Sequence, residues 1–289
     1  SWAMKNNTPT VIISESQEHD FKRNKIKEYF KSFLLSLVDS AFVGGINQRR
    51  YLVNLGFDNE IIFEGCDIVD NEFFMQPSDE TDVENLKLPQ KYFLTSCRFV
   101  RKKNLNVLID AFAALDRYYP EWSLVLAGDG PLREELESLV MKYNLSSKVY
   151  FLGYLDYLEM KHVYSTASCF VLPSTTEQWG LVINEALASG IPVICSENVG
   201  SAPNLLSGEH VGYTFNPKSS EDLLDKMKKI IADLKDTDFS STTREVISRW
   251  DRDKYAKSLS NASHMAIERY KKRSFYKNLL LKLFILIKQ

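Results

Sequence analysis

Short apolar runs alternate with helical patterns along most of the chain. "TVIIS" (10–14), "SAFVGG" (40–45) and "EIIFEGC" (60–66) read as buried strands. Between them, "NKIKEYFKSFLLSLV" (24–38) places apolar residues at helical spacing, and "INQRRYLVNLG" (46–56) reads as a helix closed by Gly56. The polar, acidic stretch "DNEFFMQPSDETDVENLKLPQ" carries Pro77 and Pro89 and predicts a linker over 76–90. Beyond it the alternation is regular. Strands are predicted at "KYFLTSC", "SLVLAGDG", "KVYFLGY", "CFVLPS", "IPVICS" and "GYTFN". Helices are predicted between them and at "SSEDLLDKMKKIIADLK", which opens with capping residues.

Strands this apolar and unalternating are buried on both faces, which predicts a parallel, helix-covered sheet. The fold class is therefore α/β, with a doubly wound domain over residues 91–246. Residues 1–75 supply three strands only, fewer than an open parallel sheet usually has. They read as a partial domain, its leading strands lying outside this sequence. The first residue is Ser1, which also suggests a fragment.

Composition narrows the function without naming it. The 289 residues are 44% apolar and 26% charged, a soluble globular balance. A net charge of −2 gives no nucleic-acid footprint. Cys66, Cys97, Cys169 and Cys195 are scattered and mostly in apolar runs, as free thiols in a reducing compartment would be. No Cys/His group has metal-ligand spacing. Neither a signal peptide nor a clean 18-residue apolar span is visible.

Candidate chemistry gathers after the strands. In "PSTTEQWGLVINEA", Glu177 precedes a helix whose open N–H groups suit a phosphate, and Gly180 would let backbone approach an anion. Glu185 lies one to two turns further on among small residues. There it is either a buried carboxylate needing donors, such as a ribose diol, or a solvent-facing helix glutamate. In "SCRFVRKKN", Arg98 and Lys103 offer a fork and a point charge to a diphosphate, or form a solvated basic turn. "LAGDGP", with Gly128, and "FLGYL", with Tyr154 and Leu155, are ligand-side turns or plain connections. "NVGSAPNLL" (198–206) either brings amides to a ligand or is a structural turn.

Together these stretches resemble the family 4 (group 1) glycosyltransferases of GT-B fold. The resemblance runs from about Thr8 to about Tyr270 and is carried by "CRFVRKKN", "VLAGDGPLREELE", "VYFLGYL", "FVLPSTTEQWGLVINEALASGIPVICS" and "GSAPNLL", in family order. It implies one complete Rossmann-like domain holding a nucleotide-sugar donor and a partial N-terminal Rossmann-like domain on the acceptor side. Residues 247–289 would form C-terminal helices that pack back on the N-terminal domain. Arg98, Lys103 and Glu177 take the catalytic positions, the first two stabilising the departing diphosphate and Glu177 facing the donor sugar. Glu185 is implied to hold the ribose, with Trp179, Gly180, Leu181, Gly128, Tyr154 and Leu155 around the donor. Transfer would retain configuration, with no metal and a glycan or lipid-linked acceptor. The family's Lys-Gly is Lys103-Asn104 here, and Gly-Gly-x-Pro-Glu is Gly200-Ser201-Ala202-Pro203-Asn204. Glu15 falls near a position where many relatives carry a histidine facing the acceptor. A second reading is a donor-binding module that is inactive without further strands or a partner chain.

The tail "RYKKRSFYKNLLLKLFILIKQ" (269–289) is basic and apolar with no acidic residue. It predicts peripheral contact with an anionic membrane by a cytoplasmic protein. The alternative is a helix packed on the protein.

Overall fold

A computed structural model describes residues 2–20, 23–78, 86–208 and 210–271. The chain divides into two compact units, one of Ser1–Ile68 with Arg252–Gln289, the other of Val69–Asp251. Among the described residues, the strands form two parallel sheets, one in each unit.

In the first unit the strands β1 (Val11–Ser14), β2 (Ser40–Val43) and β3 (Ile62–Glu64) lie side by side in that order. Its helices are α1 (Trp2–Lys5), α2 (Lys25–Leu35) and α3 (Ile46–Asn54). Asn24 caps α2 by accepting from the amides of Ile26 and Lys27. Leu35, Ala41, Val43, Tyr51, Leu52 and Ile62 form the core here. A long helix at the end of the described chain, Arg252–Lys271, packs on the three strands and is α12 below. Tyr255 meets Phe42 edge-on at 5.1 Å, and the Ser40 hydroxyl donates to the Ala262 carbonyl at 2.7 Å.

The second unit begins with α4 (Asn71–Met75). Six strands follow: β4 (Tyr92–Ser96), β5 (Ser123–Ala127), β6 (Val149–Gly153), β7 (Cys169–Leu172), β8 (Val193–Ser196) and β9 (Gly212–Phe215). Their order is β6-β5-β4-β7-β8-β9, so the winding reverses between β4 and β7. Between and after the strands come α5 (Leu105–Asp116), α6 (Arg133–Lys142), α7 (Tyr157–Thr166), α8 (Leu181–Ala188), α9 (Ala202–Leu205), α10 (Ser220–Asp233) and α11 (Phe239–Ser248). Side chains alternate across the strands. Phe93, Leu124, Leu126, Cys169 and Val171 face α5, α6 and α10. Tyr92, Leu94, Val125, Phe170 and Leu172 face α7, α8 and α11. Every residue of β5, β7 and β8 is buried, as two covered faces require.

The crossings between units differ from the expected boundaries. Residues 69–75 fold with the second unit, ahead of the expected 76–90 linker, of which 79–85 lie outside the described residues. The cause is α4: Phe74 is buried in the second unit's core, and the Asn71 amide donates to the Ile247 and Trp250 carbonyls. Trp250 packs on Trp179 at 4.9 Å, so the second crossing falls after Asp251 and not after Val246. Of the tail, Arg269 and Tyr270 belong to α12, where they bond Asp58 and Asn7. Residues 272–289, on which most of the membrane expectation rests, lie outside the described residues.

Candidate functional site

In an open α/β sheet a crevice forms outside the carboxyl ends of the strands where the winding reverses. Here that place is the end of β4 and β7, and the loops leaving those strands hold Arg98, Lys103 and Glu177.

Residues Arg101–Lys103 make one 3-10 turn, followed by Asn104 in the left-handed region at φ 56°. Glycine adopts that backbone most easily, but asparagine tolerates it. The Asn104 amide uses the position to donate to the carbonyls of Pro173 at 3.1 Å and Pro217 at 2.8 Å. The turn is tied to the loop after β7 a second time, because the Thr175 amide donates to the Lys102 carbonyl at 2.8 Å. The two loops therefore present their charges to each other. Lys103 Nζ donates to Glu177 Oε2, and Lys102 Nζ lies 3.8 Å from Glu177 Oε1. Ser174 Oγ adds a 3.3 Å bond to Glu177 Oε2. Lys103 and Glu177 are largely buried, which strengthens their pairing, whereas Lys102 is half exposed.

The main chain of Glu177 is fixed as firmly as its carboxylate. It bridges Val199, and its carbonyl accepts from the Gly200 amide at 2.9 Å. The Ser201 amide and hydroxyl both donate to the Trp179 carbonyl. The amides of Gly200 and Ser201 are thus consumed inside the protein, and "NVGSAPNLL" works here as a structural turn. Gly180, at φ 94°, turns the chain into α8; a Cβ there would crowd Leu172, Glu177 and Val199.

Glu185 stands on the second turn of α8, in a half-buried position. Tyr164 Oη donates to its Oε2 at 2.9 Å. Burial pushes the Glu185 carboxyl up to about 7, against the opposing pull of the Tyr164 bond. Tyr157 is half exposed and stacked on Phe73 at 4.5 Å; burial first, then the nearby Glu185 carboxylate, raises its phenol.

Arg98 is exposed just past β4; its carbonyl accepts from the Val100 amide at 2.9 Å, but its guanidinium makes no hydrogen bond or ion pair among the described residues. Its backbone is what Gly128 and Gly130 support. A Cβ on Gly128 would sit 2.1 Å from the Cys97 carbonyl oxygen, and one on Gly130 2.6 Å from that of Phe99. The Phe99 amide donates to the Asp129 carbonyl at 2.9 Å, zipping the two strand ends together. An anion arriving here would meet one unpaired guanidinium and an ammonium already shared with a carboxylate.

Two of the expected donor residues have other work. Trp179 is a correction: its ring is 2% exposed, packs on Trp250 and donates Nε1 to Asn184 Oδ1 at 3.0 Å. An indole so enclosed is core, with no face left for a ligand. Gly128 is the other correction, because its amide is spent on the Gly153 carbonyl at 2.6 Å and its open side is filled by Cys97. Leu181 is exposed at the start of α8, and Tyr154 is 75% exposed past the edge strand β6, with Leu155 half buried against the core. Glu15 lies in the other unit, exposed at the end of β1, where its charge acts on Cys66 and Asp67. Sequence reasoning missed Lys102, Ser174, Tyr157 and Tyr164. Only the two tyrosines left a signal, since a separation of seven puts them on one face of α7.

Residues 78–246 match the family described as glycosyl transferases group 1. The sulfoquinovosyl transferase SQD2 of Arabidopsis thaliana is 32% identical over 227 residues, which is 74% of this chain and 40% of that protein. A Campylobacter jejuni protein, the N-acetylgalactosamine-N,N'-diacetylbacillosaminyl-diphospho-undecaprenol 4-alpha-N-acetylgalactosaminyltransferase, is 26% identical over 78% of this chain and 59% of its own length. An uncharacterised glycosyltransferase of Methanocaldococcus jannaschii is 27% identical over 78% of this chain and 53% of its own. The chain thus spans about half the length of the curated relatives it matches. Among solved structures, Anabaena Alr3699/HepE in complex with UDP superposes with a TM-score of 0.76 at 19% identity, over 89% of this chain and 74% of that one. That likeness shows the fold, GT-B with Rossmann-like units. No helix of the described residues is long and apolar enough to cross a membrane.

Proposed function

The chain belongs to the group 1 glycosyltransferases, and from that premise we propose that it moves a hexosyl group from a nucleotide-sugar donor to a glycan or lipid-linked acceptor with retention of configuration. The observation that carries the reading is the convergence of Arg98, Lys103 and Glu177 on the loops beyond β4 and β7, where such a sheet opens its crevice. Arg98 and Lys103 would take up the charge that develops on the diphosphate as its bond to the sugar breaks. That is electrostatic stabilisation supplied by side chains already in place, with no cofactor needed. Glu177, held by Lys103 and Ser174, would accept hydrogen bonds from sugar hydroxyls, and Glu185 from the ribose. Tyr154 and Leu181, exposed at the ends of β6 and the start of α8, would flank the donor.

For the acceptor, we propose a cell-surface glycan or a lipid carrier; the diphospho-undecaprenol named for the Campylobacter relative supports the second. The basic, apolar residues 269–289 would then bring the protein to the inner face of an anionic membrane.

Titration calorimetry with UDP, GDP and ADP tests the donor reading. One of the three should bind, and Arg98→Ala and Lys103→Ala should each weaken it about tenfold, the loss of one charge-assisted bond. Absence of binding by all three, or unchanged affinity in both variants, would overturn it. Product analysis by NMR then decides the anomeric outcome.

A further inference from the structure

Resting on the donor-site reading above, we propose that Tyr164 is a positioning residue: it fixes one oxygen of Glu185 so that the other is left to receive the hydroxyls of a ribose. A glutamate on a helix has three rotatable bonds, and a ligand that must first freeze them binds more weakly. Tyr164 removes that freedom in advance. It is wholly buried, its ring held by Phe74 at 5.8 Å and Phe170 at 5.6 Å, so the hydroxyl has little room to wander. A phenol has one proton to give. The Tyr164 hydroxyl contacts Glu185 Oε2 at 2.9 Å and the Val182 carbonyl at 3.5 Å, and the Ser96 hydroxyl also bonds to it. The shorter contact, to the carboxylate, takes the proton. No other hydrogen bond to the Glu185 carboxylate occurs among the described residues, so Oε1 keeps its acceptor capacity.

The same bond also bears on the charge of Glu185. Burial raises its carboxyl to about 7, and Tyr164 is the group that pulls it back. Glu185 acts on Tyr157 of α7, on which Asp70 at the head of α4 also acts, and Cys97 beyond β4 acts on Tyr164. None of Tyr157, Asp70 and Cys97 shifts Glu185 itself. Around neutral pH, the share of Glu185 that is a double acceptor therefore follows the Tyr164 hydroxyl.

The test measures the affinity of whichever nucleoside diphosphate the wild type binds, by calorimetry from pH 5.5 to 8.5. Wild-type affinity should rise with pH through about 7, as the carboxyl ionises. Tyr164→Phe keeps the ring and its packing. It should move that midpoint up by about one pH unit and cost about 3–10-fold at pH 7, the worth of one hydrogen bond, with most of the affinity recovered at pH 8.5. Glu185→Gln should bind weakly with no pH dependence. Replacing Tyr164 by 3-fluorotyrosine, a stronger donor of the same shape, should move the midpoint down, and this arm stands even if Tyr164→Phe does not fold. If both Tyr164 variants match the wild-type midpoint while Glu185→Gln is weak, the positioning role is wrong and the donor site stands. If Glu185→Gln binds like wild type, the donor-site reading itself is wrong.

Discussion

The two units solve the same problem, a parallel sheet, to different degrees. In the six-stranded sheet the four inner strands are almost wholly buried, and helices cover both faces. In the three-stranded sheet only β2 is buried throughout. Its neighbour β1 pairs on one side only among the described residues, and Ile13 is 58% exposed. Apolar side chains stand open on α2 as well, with Ile26 and Tyr29 both 80% exposed. Each unit also holds a buried carboxyl that burial drives upward, Glu185 in one and Asp67 in the other. Glu185 has a phenol bonded to it. Asp67 accepts from the Cys66 thiol at 3.4 Å, while another acid, Glu15, adds to its rise. The difference teaches that the larger unit is closed on both faces, while the smaller leaves its outer strand open and sets two acids, Glu15 and Asp67, within each other's field.

The contrast is sharpest where packing is complete. Phe170→Ala in β7 should destabilise the second unit by about 3–5 kcal/mol, read from the urea midpoint at unchanged slope. A loss under about 1 kcal/mol would mean that this core is looser than its burial implies. Next comes Gly128→Ala, at about 2–4 kcal/mol, since the new Cβ meets a carbonyl and the backbone lies at φ 118°. It should also weaken nucleotide binding by displacing Arg98, so a stable variant with full affinity would separate the turn from the site.

Smaller still is Asp67→Asn, whose sign depends on pH. The Asp67 carboxyl is raised to about 6 in the folded protein, above the ~4 of an unfolded aspartate. The native state is then unpenalised below about pH 4, loses stability between about 4 and 6, and carries the full cost above. The asparagine should gain up to about 2 kcal/mol at pH 7.5 and nothing at pH 4. Equal effects at the two pH values would show that folding does not raise the Asp67 carboxyl. The least effect is expected from Ile13→Ala in β1, within about 0.5 kcal/mol. A cost of several kcal/mol in solution would show that this strand's outer side is covered there, erasing the contrast.

Much of this was legible in the sequence, for uneven reasons. The strands of the larger unit are continuous apolar runs, and the turns after them gather Arg98, Lys103 and Glu177 because a parallel sheet puts all its carboxyl ends on one side. Helix α4 was hidden because Asp70, Glu72 and the prolines beyond make the stretch read as polar, while its burial depends on Asn71, Phe73, Phe74 and Met75. Trp179 misled because a sequence shows that a tryptophan follows a candidate acid but not that Trp250, 71 positions away, closes over it. Gly128 misled similarly: its need for an absent side chain is real, but the neighbour is Cys97. The Tyr164–Glu185 bond joins two helices, and the spacing of Tyr157 and Tyr164 on α7 marks a face without saying what that face meets.

Asn104 holds the left-handed backbone that glycine adopts most easily. A glycine would bend the chain there with less effort, yet it could hold on to nothing. The side chain present instead reaches one carbonyl beyond β7 and another beyond β9. Hinge and clasp are thereby united in a single residue, so the basic turn cannot swing away from its acidic counterpart without first letting go of two other parts of the rim.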